Sequence, residues 1–342
     1  MAGLSLIELM IAVLIGTFLM LGVVQVFGAS REAYRLSEGL ARVQENGRFA
    51  LDYLQRDIRM AGHFGCVNDQ ARLQTPDFMQ SHVTGTGLDF TVSIQGFDGA
   101  PTGVGVLSPA PVAGTDSIVL RFLTGGGIPI TAIDTAARTV TVPAARWGVL
   151  TQEGVADPIR FGIADCAYAD IFTATTATPG SVTVPAAVDL TRYGATPDGG
   201  PATLYRADAV VYYIGLRAGA AFPSLYRARI GSGTPSEELV EGIENLQLRY
   251  GLDRSTDVMQ PTGFIATEGT ASTINTSLAN WRRVGQVQVA VQVVSPNPAT
   301  SLQALAENRM QVLDVAQTAP EDRHYRQVYQ STIALRNRLY GN

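Results

Sequence analysis

Gly3-Leu4-Ser5-Leu6-Ile7-Glu8-Leu9-Met10-Ile11-Ala12-Val13-Leu14-Ile15 opens a run that stays apolar through Gly16-Thr17-Phe18-Leu19-Met20-Leu21-Gly22-Val23-Val24 to Val26-Phe27. Between Leu4 and Arg31 the one charge is Glu8. About 20 apolar residues make a helix that crosses a ~30 Å hydrocarbon core, so this stretch is long enough to span a membrane. A carboxylate in that core costs roughly 2.5–3.5 kcal/mol on insertion scales, so Glu8 requires a partner or a purpose. A secretory signal would carry basic residues first and a small-residue cleavage site afterwards. Here no Lys or Arg precedes Leu4, and no clean A-x-A site follows. A plain anchor accounts for the hydrophobicity but not for Glu8.

The segment does not stop at a turn. Residues 29–61 hold no Pro, and Leu36, Leu40, Val43, Gly47, Leu51, Leu54 and Ile58 recur at helical spacing. Glu38, Arg42, Glu45, Arg48, Asp52, Arg56 and Arg59 fall on the opposite face. Glu38–Arg42 and Asp52–Arg56 are expected i,i+4 pairs, each worth a few tenths of a kcal/mol. Gly62 is the expected stop. Residues 4–61 are thus predicted as one helix about 85–90 Å long. Residues 4–28 are apolar all round, whereas 29–62 are amphipathic and must bury a stripe against a head. Gly16, Gly22, Gly28 and Gly39 mark places where it can bend.

From Cys66 the pattern turns to β, so the fold class is α+β: a long helix half embedded in a β-rich head, residues 63–342. Strands are predicted at 88–94, 117–122, 138–142, 160–163, 171–175 and 181–184. Others are predicted at 209–214, 225–229 and 286–293, with a closing strand from Tyr329 onward. Residues 239–251 read as a short turn or helix running into a strand with Leu246, Leu248 and Tyr250 on one face. Gln286 to Val293 alternates almost without fault, one side for a core and one for solvent. Residues 176–202 and 252–282 read as loops. Residues 70–205 carry no motif and form a candidate inserted subdomain.

The 342 residues have a net charge of −5, which leaves no basic excess for a nucleic acid. All 25 basic residues are Arg, which excludes a P-loop or Schiff-base lysine. The run Gly125-Gly126-Gly127 precedes neither a Lys nor a clear helix and reads as a turn. Two cysteines, Cys66 and Cys166, with His63, His82 and His324 scattered, do not compose a zinc site. Beyond an N-terminal anchor the head lies outside the cytoplasm, where disulfides persist; the alternative is two separate buried thiols. No G-x-S-x-G, H-E-x-x-H or useful Cys/His pair is present, so neither catalysis nor a cofactor is expected. Asp165, Asp170, Asp253 and Asp257 read as turn caps. The stretch 253–257 lacks the acidic pattern of a calcium loop.

The segment Gly3 to Met10 resembles the cleavage and methylation motif of type IV prepilins. It departs in its three-residue leader, which has no basic residue, and in Leu4, where Phe is commonest. The resemblance implies a leader of residues 1–3, cut by a prepilin peptidase between Gly3 and Leu4, and N-methylation of Leu4. It also implies that Glu8 accepts a charge-assisted bond from the new α-amino group of Leu4, in a neighbouring subunit or its own. That bond would offset desolvation and set axial register.

Further blocks resemble the PilW-type minor pilins within that superfamily. They are Ala50 to Gly62 followed by Phe64-Gly65-Cys66, then Asp165-Cys166, Leu239 to Asp253, and Ser331-Thr332-Ile333-Ala334-Leu335-Arg336-Asn337-Arg338. This resemblance supports a Cys66–Cys166 disulfide. It implies a minor pilin that helps start type IV pilus assembly in a tip complex, with other minor pilins and the major pilin as partners and a PilY-type adhesin as possible cargo. The implied location is the inner membrane, head in the periplasm, and then the pilus tip. The alternatives are a GspJ-like minor pseudopilin of type II secretion, and a head that itself binds a surface through 70–205.

Overall fold

The computed structural model describes residues 5–68, 78–195, 201–233, 235–257, 260–298, 309–318, 322–335 and 337. Its first element is the helix Leu6–Met60, about 80 Å long, which runs unbroken through all four candidate bending glycines. Ala61 leaves the helical region at ψ 128°, and Gly62 takes a positive φ of 76°. An L side chain resists that conformation, which is why the stop falls on glycine.

The buried face of the helix is Gly39, Val43, Gly47, Ala50, Leu54, Asp57 and Ile58. This corrects the expected stripe: Leu36 is exposed, and Leu40 and Leu51 lie at the margin. The small residues Gly39, Gly47 and Ala50 let the head approach the helix axis, so size decided the seat as much as hydrophobicity. The polar face also differs. Asp52 lies 3.8 Å from Arg48, and Arg56 reaches Glu153 of the head rather than Asp52. Among the described residues Glu38 and Arg42 form no ion pair.

The head contains two main sheets. A nine-stranded sheet centres on Thr203–Gly215. Along its upper half this strand pairs antiparallel with Ser117–Leu123 on one side and Ser224–Arg229 on the other. Its first residues pair with Arg160–Ala164, which passes the sheet on to Ala169–Thr173 and then, in parallel, to Met79–Ser81. The second sheet runs Ile265–Gly269, Ile243–Asp253, Val284–Pro298, His324–Ala334, all antiparallel. A small four-stranded sheet is built from 132–141 and 176–183.

The helix closes the gap between the two main sheets. One core joins Val43, Ala50, Leu54 and Ile58 to Ile118, Leu120, Tyr212 and Ile214 of the first sheet and to Leu246, Leu248, Tyr250, Val287, Val289 and Val291 of the second. The opposite face of the first sheet, through Val119, Leu123, Val211 and Tyr213, packs on Phe64, Phe78 and Phe90. A strand covered on both faces must be apolar on both. That is why 209–214 reads as a continuous apolar run while 286–293 alternates.

Several expectations need correction. Leu88 ends the short 3-10 helix Thr86–Leu88, residues 89–93 turn, and the strand is Ile94–Phe97. Asp89 accepts from the amide and hydroxyl of Thr91, while the buried Arg121 takes the carbonyls of Gly87 and Val92. Side-chain hydrogen bonding there outcompetes the strand pattern. Residues 239–241 belong to the strand Glu237–Glu241, and at Gly242, with φ 76°, the chain crosses into the second sheet. Residues 252–282 are not one loop. They supply the strand Ile265–Gly269 and two short helices, Ala271–Ile274 and Leu278–Trp281. Trp281 is wholly buried edge-on to Tyr250, ring centroids 4.8 Å apart. Residues 176–178 also pair in the small sheet.

Candidate assembly site

The helix start is built by a local hydrogen-bond exchange. Ser5 is the N-cap, and its hydroxyl accepts from the Glu8 amide at 3.3 Å. Glu8 Oε2 in turn accepts from the Ser5 amide at 2.9 Å. This capping box occupies two amides that the first turn leaves without helical partners. Glu8 thus has a partner within its own chain. Gly3 and Leu4, on which the expected cleavage and methylation fall, lie outside the described residues.

Beyond the cap, Leu6, Ile7, Leu9, Met10, Ile11, Val13, Leu14, Ile15, Phe18, Leu19, Met20, Val23, Val26 and Phe27 are all exposed. No part of the most apolar 18-residue window is covered by the head. A helix apolar all round is stable only in lipid or among other apolar helices. This half of the helix is therefore the candidate membrane and assembly surface.

The second half is fixed rigidly enough to carry that surface. Gly47 seats on Tyr329, where an added Cβ would lie 2.4 Å from Cδ2. Asn46 Nδ2 donates to the Glu241 carbonyl at 3.0 Å, and Gln55 Nε2 to Ser331 Oγ at 2.8 Å. Asn337 Nδ2 donates to the Arg59 carbonyl at 3.0 Å, satisfying one of the helix's last free carbonyls. This gives the C-terminal block a physical task. Arg336, Arg338 and Leu339 lie outside the described residues.

Asp57 is the seat residue that sequence reasoning missed. It is buried in the helix stripe, and its Oδ2 accepts from Tyr212 Oη at 2.6 Å and Arg227 Nη1 at 3.3 Å. Burial, reinforced by the Asp57 carboxylate, pushes the Tyr212 hydroxyl well above its usual range. Burial opposes the charge of Arg227, but Tyr212, Glu237 and Asp57 together hold its pKa above the ordinary value. The available signal was position: Asp57 shares a helical face with Ala50, Leu54 and Ala61.

Cys66 and Cys166 are joined in a disulfide with Cα atoms 4.7 Å apart. It ties the hairpin of His63–Phe64 and Val67–Asn68, just past the helix, to the turn before Ala169–Thr173. Asp165 caps that turn, as expected, by accepting from the Ala167 and Tyr168 amides at 2.7 Å. Asp253 organises its loop through the amides of Ser255, Thr262 and Gly263.

Asp170 corrects its expectation. It is no loop cap but a fully buried strand residue that accepts from Tyr193 Oη at 2.5 Å and lies 2.6 Å from His82 Nε2. Burial and the adjacent Asp170 push the Tyr193 hydroxyl far up. Asp116 stitches the sheets: its amide donates to the Leu246 carbonyl, and its Oδ2 accepts from the Leu248 amide, each at 2.8 Å. Burial pushes its carboxyl up to about 7, with Asp98 adding to the rise. Among the described residues no group of three or more His, Cys, Asp or Glu is arranged to hold a metal ion.

A long helix, apolar and uncovered in its first half and locked into a two-sheet head in its second, defines an α+β chain. Residues 211–337 match the family described as type IV pilus-assembly protein W. That segment holds the strands of the second sheet, and over it the chain is similar to that family. A type IV-like pilin from Thermus thermophilus aligns over 87% of this chain and 98% of its own, at 9% identity and a TM-score of 0.31. No curated protein matches the chain.

Proposed function

We propose that the chain is a minor pilin that helps start type IV pilus assembly within a tip complex of minor pilins, with a PilY-type adhesin as cargo. The observation that carries this reading is the continuous helix, whose uncovered apolar half bears Glu8 as its only charge. The match to a pilus-assembly family over 211–337 supports it. In this reading residues 1–3 are a leader, and a prepilin peptidase cuts after Gly3 and methylates Leu4. Residues 4–28 sit in the inner membrane with the head in the periplasm until assembly carries the chain to the pilus tip. Its role is structural rather than catalytic.

Glu8 then has two successive partners. Before assembly it caps its own helix through Ser5. On assembly it exchanges that bond for the α-amino group of Leu4 in its own or an adjacent subunit, which offsets the desolvation of both charges. The test is Glu8→Ala. Membrane insertion should persist while the chain disappears from sheared pili and pilus number falls. Normal pilus number with the variant recovered in sheared filaments would refute the reading.

A further inference from the structure

The loop 154–159 and the strands Arg160–Ala164, Thr203–Gly215 and Ser224–Arg229 border a cavity of about 230 Å³. Its charged lining is Asp157, Arg160, Arg206, Asp208 and Arg229. Three arginines against two aspartates leave one positive charge within the lining itself, while Glu153 just outside it is shared among Arg56, Arg206, Arg227 and Arg229.

Arg206 and Asp208 satisfy each other. Arg206 Nε and Nη2 both donate to the Asp208 carboxylate, and Nη1 donates to the carbonyls of Leu150 and Gln152. Arg160 and Arg229 are less well met. Arg160 is 7% exposed, and its Nη1 and Nη2 donate to the carbonyls of Gly231 and Ile230, which carry no charge. Arg229 Nη2 reaches Glu153 at 3.3 Å. The Nε of each is buried without a hydrogen-bond partner among the described residues. Burial lowers the pKa of both, and Asp208 only partly counters it.

A buried donor on a charged group is costly to leave unmet, and paired guanidinium forks suit carboxylate or phosphate oxygens. The single net charge and the nearby Asp157 disfavour a dianion. Val155, Pro158 and Ile159 give the cavity an apolar wall, and Ile159 is 44% exposed. We propose that this cavity binds a monocarboxylate carried on a short aliphatic stem, with its oxygens facing Arg160 and Arg229.

The test uses the full chain in detergent at constant ionic strength, read by thermal midpoint and titration calorimetry. Butyrate stands for a free short-chain acid and N-acetylvaline for a polypeptide C-terminus; the controls are N-acetylvaline amide and inorganic phosphate. At least one carboxylate should raise the midpoint saturably, and the tighter of the two identifies the source. The amide should do nothing, and phosphate should bind more weakly. Arg229→Gln should weaken binding about tenfold or more, and Asp157→Asn should tighten it. Arg160→Gln should abolish it; should that buried variant fail to fold, Arg229→Gln decides, since its side chain is 11% exposed. No saturable response to either carboxylate, an undiminished response in Arg229→Gln, or tighter binding of phosphate or the amide would overturn the proposal.

Discussion

Gly47→Ala sets helix propensity against packing. In an open helix, alanine is better than glycine by about 1 kcal/mol. At Gly47 the new Cβ would lie 2.4 Å from Tyr329 Cδ2, 2.5 Å from Cε2 and 2.8 Å from Cγ. Carbon atoms settle about 3.5–4.0 Å apart, so the ring or the helix must retreat by roughly 1 Å. The ring is not free to do so cheaply. Its Cγ is among the close atoms, its residue pairs with Val291 across the sheet, and its hydroxyl donates to Gln327 at 3.1 Å. Overpacking costs ~1–3 kcal/mol. Because Tyr329 is only half-buried and gives some way, the net loss after the propensity gain is expected near 1 kcal/mol. The assay is urea unfolding of the full chain in detergent, followed by the fluorescence of the buried Trp281. In a Tyr329→Ala background the same change should become stabilising, because the obstacle is gone. A Gly47→Ala chain as stable as the wild type, or an equal loss in both backgrounds, would refute the close-seat account.

Other perturbations probe the remaining supports. Cys66→Ser should lower stability by up to ~4–5 kcal/mol, because the disulfide spans a sequence separation of 100 residues; an unchanged urea midpoint with and without reductant would contradict this. Asp57→Ala should cost ~1–3 kcal/mol by leaving the buried Tyr212 hydroxyl without its acceptor and Arg227 with Glu237 and Glu153 alone, and Asp57→Ala with Tyr212→Phe should recover much of that in the same unfolding assay. The Asp116 carboxyl, raised to about 7 in the folded chain, holds a proton that the unfolded chain releases near its ordinary value of roughly 4. Its stabilising contribution is therefore full below that ordinary value and is lost as pH rises through about 7. Asp116→Asn keeps an acceptor for Leu248 and should flatten the decline in stability over that window, measured by unfolding at a series of pH values.

Local periodicity and hydrophobicity already determined the long helix, its apolar first half, its stop at Gly62, the lone charge of Glu8 and the alternating strand 286–293. Each is a property of neighbours along the chain, and a membrane-length apolar run reads the same in any tertiary setting. What lies across space was decided only by the tertiary structure. The stripe follows glycines and Asp57 because Tyr329 and Tyr212 press on them, and hydrophobicity cannot register a close approach. Residues 89–93 turn because Arg121, far along the chain, takes the carbonyls of Gly87 and Val92. Trp281 is buried because Tyr250 waits in the second sheet, although its own surroundings read as surface loop. Asp170 reads as an ordinary turn cap in the sequence, and nothing local singles out Asp116. Packing alone withdraws them from water and gives each its particular partners.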